Sequence, residues 1–234
     1  MTFAARLGSF AAMPSQTFTD TDHYPSSAAK TADMWVHIAG LILAVAGAGT
    51  LFGLSIGFGT LGQVFAVAVY GLCLTLMLSF SIAYNMAKPE NRPFLRRLDH
   101  AGIFLMIAGS YTPFTTQNLT GAWSVGMTLA VWLLAAAGVA GKLFLPGLGK
   151  GIWVALYLAL GWIVVIAMGP MIASVSLAGM ILLAVGGLVY SAGVIFYVRK
   201  SLHFRRAIWH GFVVTAAGVH YAAIMTGVVL FNRA

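Results

Sequence analysis

The stretch HAGIFLMIAGSYTPFTTQ, residues 100–117, decides how many times this chain crosses a bilayer. Its first half is apolar, but Ser110, Thr112, Pro113, Thr115, Thr116 and Gln117 make its second half polar. A spanning helix needs about 20 mostly apolar residues, and by that measure the stretch is short. Six longer apolar runs flank it, at 34–54, 61–87, 122–141, 152–170, 174–198 and 208–231. Charge settles the count. Segments 1–33, 88–98, 142–150 and 199–206 hold 12 of the 13 Lys and Arg residues, and uncharged connections near 55–60, 118–121 and 171–173 alternate with them. That alternation survives only if 100–117 also crosses. The expected fold is therefore an all-α, polytopic bundle of seven transmembrane helices. The positive-inside rule places the N-terminus in and the C-terminus out.

Composition agrees. Of 234 residues, 60% are hydrophobic and 8% charged, against about a quarter charged in a soluble domain. The net charge of +8 would suggest nucleic acid in a soluble protein, but here it is spread over four loops as an orientation signal, so no nucleic-acid partner is expected. One cysteine, Cys73, excludes an internal disulfide and any multi-thiolate metal centre; inside an apolar run it reads as a small buried hydrophobe. Residues 1–32 lack the apolar core of a cleavable signal and read as a mobile cytoplasmic tail. Residues 33–234 form one membrane domain, and the inner cell membrane is the expected location.

Small residues and aromatics give expectations about packing. Gly49, Gly53 and Gly57 recur every fourth residue, and Gly179, Gly186 and Gly193 every seventh. Such stripes allow close helix approach, within the bundle first and between two copies second. Pro113 is expected to kink the third span, and Trp153 and Trp209 stand where interfacial aromatics anchor span ends.

Ionisable groups in a bilayer are costly and mark function. The spans contain few: His37, then Asp99 and His100, then His210 and His220. In the expected topology all but His220 lie near the cytoplasmic ends, at the level of Ser81, Tyr84 and Asn85. Ser81 and Asn85 are four apart, as are Arg206 and His210, so each pair shares one helix face.

The run from Arg97-Leu98-Asp99-His100-Ala101-Gly102-Ile103 to Ala108-Gly109-Ser110-Tyr111-Thr112-Pro113-Phe114 resembles the third-span signature of the hemolysin III family, within the group of progestin and adiponectin receptors. His37, the Ser81–Asn85 segment and Ile208-Trp209-His210 follow the order of that family, and the likeness covers roughly residues 30–231. The resemblance implies a seven-helix bundle with zinc near the cytoplasmic face, held by one histidine of a Ser-x-x-x-His motif and two of a His-x-x-x-His motif. The third-span aspartate would stand beside a metal-bound water. Receptor members are linked to lipid amide hydrolysis, which suits zinc-activated water with a carboxylate as general base.

This chain departs from that pattern at two of three ligand positions. Asn85 and Arg206 replace histidines, leaving His210 as the retained ligand position and Asp99 as the retained carboxylate. An amide is a poor ligand and a guanidinium repels a cation. No cofactor is expected, with zinc held by substituted ligands such as His37 or His100 as the alternative. Asp99 and Ser81 are the candidate catalytic residues, and Asn85, Arg206, His37 and His100 form a polar cluster around the altered site. An Asp99–Arg206 ion pair is one expected substitute for metal; phosphate capture by Arg206 and His210 is another. The leading reading is a zinc-independent member acting in lipid or energetic homeostasis or sensing, with membrane lipids as partners. The alternatives are a zinc-dependent lipid amide hydrolase and a proton-coupled transporter using Asp99 and His210.

Overall fold

In the computed structural model, residues 23–145 and 147–231 are described. Residues 1–22 of the expected tail lie outside these, as do Pro146 and residues 232–234. The chain is all-α: α1 (Ser27–Phe58), α2 (Leu61–Met86), α3 (Arg92–Gln117), α4 (Gly121–Phe144), α5 (Lys150–Gly161), α6 (Met168–Ser174), α7 (Leu177–Val198) and α8 (Arg205–Ile224). A 3₁₀ segment, Ile163–Ala167, joins α5 to α6, so the two make one interrupted crossing, and a π-helical turn, Met225–Val229, extends α8. Six of these segments are long and apolar enough to cross a membrane. The protein is a polytopic membrane protein.

The segment outside those six is α3, and its burial explains why composition undervalues it. It packs between α2 and α4 and also touches α5 and α8. Its polar side chains are satisfied locally. Ser110, Thr112 and Thr116 donate to the carbonyls four residues back, at 2.7–2.9 Å. Trp132 Nε1 donates to Thr112 Oγ1 at 3.1 Å, and Thr128 to Thr115 at 2.8 Å. Protein surrounds its polar C-terminal half, so hydropathy is a poor guide there. The helix continues through Pro113 to Gln117.

The helices begin and end where caps dictate. Ser26 accepts from Ala29 N–H, Thr60 from Gln63 N–H and Ser176 from Gly179 N–H, each at 3.1 Å. The Ser26 cap starts α1 seven residues before the apolar run at 34, so Tyr24 and the 27–33 stretch belong to the folded body. Gly121, at φ +53°, sits in the left-handed region that favours glycine and lets α3 turn into α4 within three residues.

The two glycine stripes part company. Gly179, Gly186 and Gly193 are buried on α7 and press against Gly227, His220 and Phe212, where an added Cβ would meet atoms at 2.6–2.9 Å. A Cβ added at Gly49, Gly53 or Gly57 would meet nothing within 4 Å among the described residues. Trp153 departs from its expected anchoring role: it is 4% exposed, packed edge-on against Phe104 with Lys142 over its ring. Cys73 is buried, as expected, with its Cβ close to Gly109.

Candidate functional site

Three helices bring the site together. On α1 the buried residues Ala29, Asp33, His37, Gly40 and Ala44 form one narrow stripe, spaced as one helix face. Small residues let α1 approach closely; a Cβ on Gly40 would lie 2.6 Å from Val214 of α8. Ser81 and Asn85 occupy the inward face of α2, and Arg206 and His210 the start of α8.

The deeper layer of polar groups is Asp33, His37, Ser81 and His210. Asp33 is fully buried. Its carboxylate accepts from Tyr24 hydroxyl at 2.5 Å and from His210 Nδ1 at 2.6 Å. His37 Nδ1 donates to the Asp33 carbonyl at 2.8 Å. Both rings therefore carry a proton on Nδ1 and turn Nε2 the other way. Those two nitrogens converge on Ser81 Oγ, at 3.1 Å from His37 and 3.5 Å from His210. The ring centroids are 4.2 Å apart.

The second layer lies one helical turn away, toward the charged helix ends. Asn85 Nδ2 donates to the Ser81 carbonyl at 3.0 Å. Its Oδ1 accepts from Arg206 Nη1, also at 3.0 Å. Arg206 further donates from Nε to the His23 carbonyl and from Nη2 to His23 Nδ1, both at 3.1 Å, and its guanidinium stands within 6 Å of the Tyr24 and Tyr84 rings. Burial and the charges of Arg206 and Arg92 push the His23 imidazole down to about 3. A neutral ring is what a guanidinium can donate to.

The expected Asp99–Arg206 ion pair does not form. Arg206 is taken by Asn85 and His23, while Asp99 lies 3.7 Å from His100 Nδ1. That nitrogen is also 2.6 Å from the Arg96 carbonyl, and the His100 carbonyl accepts from Tyr157. Asn85, Asp99, His100 and Arg206 nevertheless share one space. A cavity of about 460 Å³ is lined by Ser81, Asn85, Asp99, His100, Arg206 and His210. Arg96, Lys150 and Arg205 add cations to its wall, while Met77, Met106, Phe114, Met171 and Leu183 make its remainder apolar. Its deep wall includes His220, whose buried Nδ1 has no hydrogen-bond partner among the described residues, and Tyr190, whose hydroxyl has none among them either. A smaller cavity of about 260 Å³ shares Arg96, His100 and Lys150 with it and adds Arg97 and Lys142.

Asn85 and Arg206, hydrogen-bonded to each other, do not fit a zinc ion, because a cationic donor fills the space where two imidazoles would face the metal. A different trio, Asp33, His37 and His210, presents ligand-type atoms within 4.8 Å of one another. Asp33 was missed from sequence because it precedes the apolar run by one residue. The signal that could have found it is its i, i+4 spacing to His37.

The haemolysin-III related family profile matches residues 28–221. The chain is 31% identical to the hemolysin-3 homolog of Bacillus subtilis (strain 168) over 197 residues, covering 84% of this chain and 92% of that protein. It is 32% identical to hemolysin-3 of Bacillus cereus over 168 residues, covering 71% and 77%. It is 31% identical to the human monocyte to macrophage differentiation factor over 167 residues, 67% of each. With the family profile matching most of the chain and relatives above 30% identity aligned over more than two thirds of it, the protein belongs to the haemolysin-III related family of membrane proteins.

Proposed function

We propose that this chain is a zinc-independent haemolysin-III protein that binds a membrane lipid with an anionic headgroup. The observation that carries the reading is Arg206, held on Asn85 in the cavity wall. It replaces the metal's charge with a fixed guanidinium. Around it, Arg96, Lys150 and Arg205 make one end of the cavity cationic, and the rest is apolar. An acyl lipid has this division of polarity, and basic pockets between helices favour phosphate headgroups.

Purification of the full chain in mild detergent should retain an anionic phospholipid near one per protein, detected by native mass spectrometry, with zinc far below one per chain by elemental analysis. Arg206→Gln should lower lipid retention. One tightly held zinc per chain would overturn the zinc-independent reading, and retention of zwitterionic and anionic lipids alike would overturn the headgroup reading.

The reading includes seven crossings of the cell membrane, with the charged ends of the helices at the cytoplasmic face. The alternation of basic loops supports this orientation. A reporter fused after Ala234 should read as outside the cytoplasm; an inside readout would mean that α3 does not cross. The open Gly49–Gly53–Gly57 face supports contact with a second copy.

A further inference from the structure

We propose that the smaller cavity, at the charged ends of α3, α4, α5 and α7, is a second anion site. It takes a ligand with two neighbouring phosphate groups on Arg96, Arg97, Lys142 and Lys150. The site goes beyond the reading above and does not depend on what Arg206 holds.

The first argument is charge. Those four side chains line one cavity of about 260 Å³, and among the described residues no carboxylate lines it with them. Nor does any of the four have a salt bridge among the described residues. Asp99, whose charge reaches Lys142 together with that of Arg96, stands on the wall of the larger cavity. The charges that reach Lys150 are those of Arg96, Lys200, Arg205 and Arg206. A cleft lined by one sign of charge concentrates counter-ions of the other. Orientation in a membrane explains basic loops, but it does not require their side chains to face a common hollow. Lys88, Arg199 and Lys200 are exposed and line neither cavity, as orientation alone would have it.

The second argument is how the cations are held. Lys142 Nζ sits 4.0 Å from the Trp153 ring centroid, and Lys150 Nζ 3.8 Å from that of Tyr197. Arg97 Nη1 donates to the Leu143 carbonyl at the end of α4, at 3.2 Å. That leaves the guanidinium four N–H groups. Rings and a carbonyl fix these side chains without neutralising them. A charge already fixed loses less freedom when a ligand arrives.

The third argument is a helix end beside the cations. Helix α5 starts at Lys150 behind Gly149, which supplies no side-chain cap. Its first N–H groups therefore stay open to an anion. Leu148, Lys150 and Trp153 bring this end into the cavity wall.

Guanidinium forks and helix N–H groups suit phosphate oxygens, and four cations on three helices can engage two phosphate groups together. Basic pockets between membrane helices bind such headgroups, and a soluble diphosphate presents the same oxygens. Arg96, Arg97 and Lys150 are exposed and Lys142 is half-buried. Either source can reach them, and their charges can be changed without opening the core.

The test uses the full chain in a mild non-ionic detergent. One arm titrates inorganic pyrophosphate by calorimetry at low and high salt. The other adds diphosphatidylglycerol and counts bound lipid by native mass spectrometry. We expect one anion per chain in addition to the lipid at Arg206, weakened by salt. Binding of pyrophosphate alone assigns the site to a soluble ligand, binding of the lipid alone to a headgroup, and mutual displacement to the phosphates themselves. Arg97→Gln with Lys142→Gln should weaken binding about 100-fold, near tenfold for each charged contact. Arg97→Lys with Lys142→Arg, which keeps both charges, should retain it, and Arg206→Gln should leave it in place. Neither anion binding at one per chain would overturn the site, whatever lipid Arg206 retains in the same spectra. Inorganic sulfate competing equally with pyrophosphate would also overturn it, leaving only a charged surface. Loss in Arg206→Gln with none in the Arg97→Gln, Lys142→Gln variant would assign the anion to the larger cavity and overturn a second site.

Discussion

Replacing Asp33 with alanine should lower the stability of the folded protein by about 2 to 6 kcal/mol, the cost of leaving two buried donors without an acceptor. The carboxylate is fully buried and accepts from Tyr24 and from His210. Alanine would leave the phenol and the ring N–H without acceptors, and each buried unsatisfied donor costs about 1 to 3 kcal/mol. It would also open a space on the face where α1 meets α8. Loss of heat-stable monomer in a detergent thermal-shift assay measures this. Asp33→Asn keeps the volume and one acceptor oxygen, so it should lose clearly less than alanine does. If alanine and wild type melt alike, Asp33 does not tie α1 to α8. The expectation discriminates between sites, because Asp99→Ala should cost little. Asp99 faces the cavity, and its neighbour His100 is held independently by the Arg96 carbonyl.

The contrast between the two aspartates shows what the sequence made legible. Asp99 stood out because a recognisable run surrounds it, yet it sits on the cavity wall rather than at the centre of the hydrogen-bond network. Asp33 was invisible because a span is read by apolarity, and a carboxylate at its border looks like the end of the membrane. It becomes meaningful only when α1, capped by Ser26, is seen to begin earlier and to aim Asp33 and His37 inward together. The gathering of His37, Ser81, Asn85 and His210 at one end of the bundle was legible, since helix direction alternates and four-residue spacing fixes a face. The choice of partner was not: whether Arg206 meets Asp99 or Asn85 depends on helix rotation, which hydropathy leaves free. Trp153 makes the same point. Its position near a helix end matched an interfacial anchor, but α5 is rotated so that the ring lies against Phe104 and Gly141.

The same rotation makes a constructive prediction possible. Changing Asn85 and Arg206 together to histidine should create a zinc site of about one ion per chain where the parent protein holds far less. The side chains of these two residues already meet at 3.0 Å across α2 and α8, so imidazoles there would project into a shared space. His210 lies one turn along the same face of α8, and Asp33 fixes its Nδ1 as a donor, leaving Nε2 for a metal at about 2.0–2.1 Å. Three imidazoles plus water make a common catalytic zinc set. Removing the guanidinium also removes the charge that repels the cation. Neither single change should suffice. Asn85→His alone leaves Arg206 in the site, and Arg206→His alone leaves an amide in place of the third ligand. Elemental analysis after dialysis against a weak chelator reads the outcome directly. Zinc bound by the double variant but by neither single variant would mean that these two positions together decide whether a metal binds. If the double variant folds and retains no zinc, positions 85 and 206 do not decide metal binding in this fold.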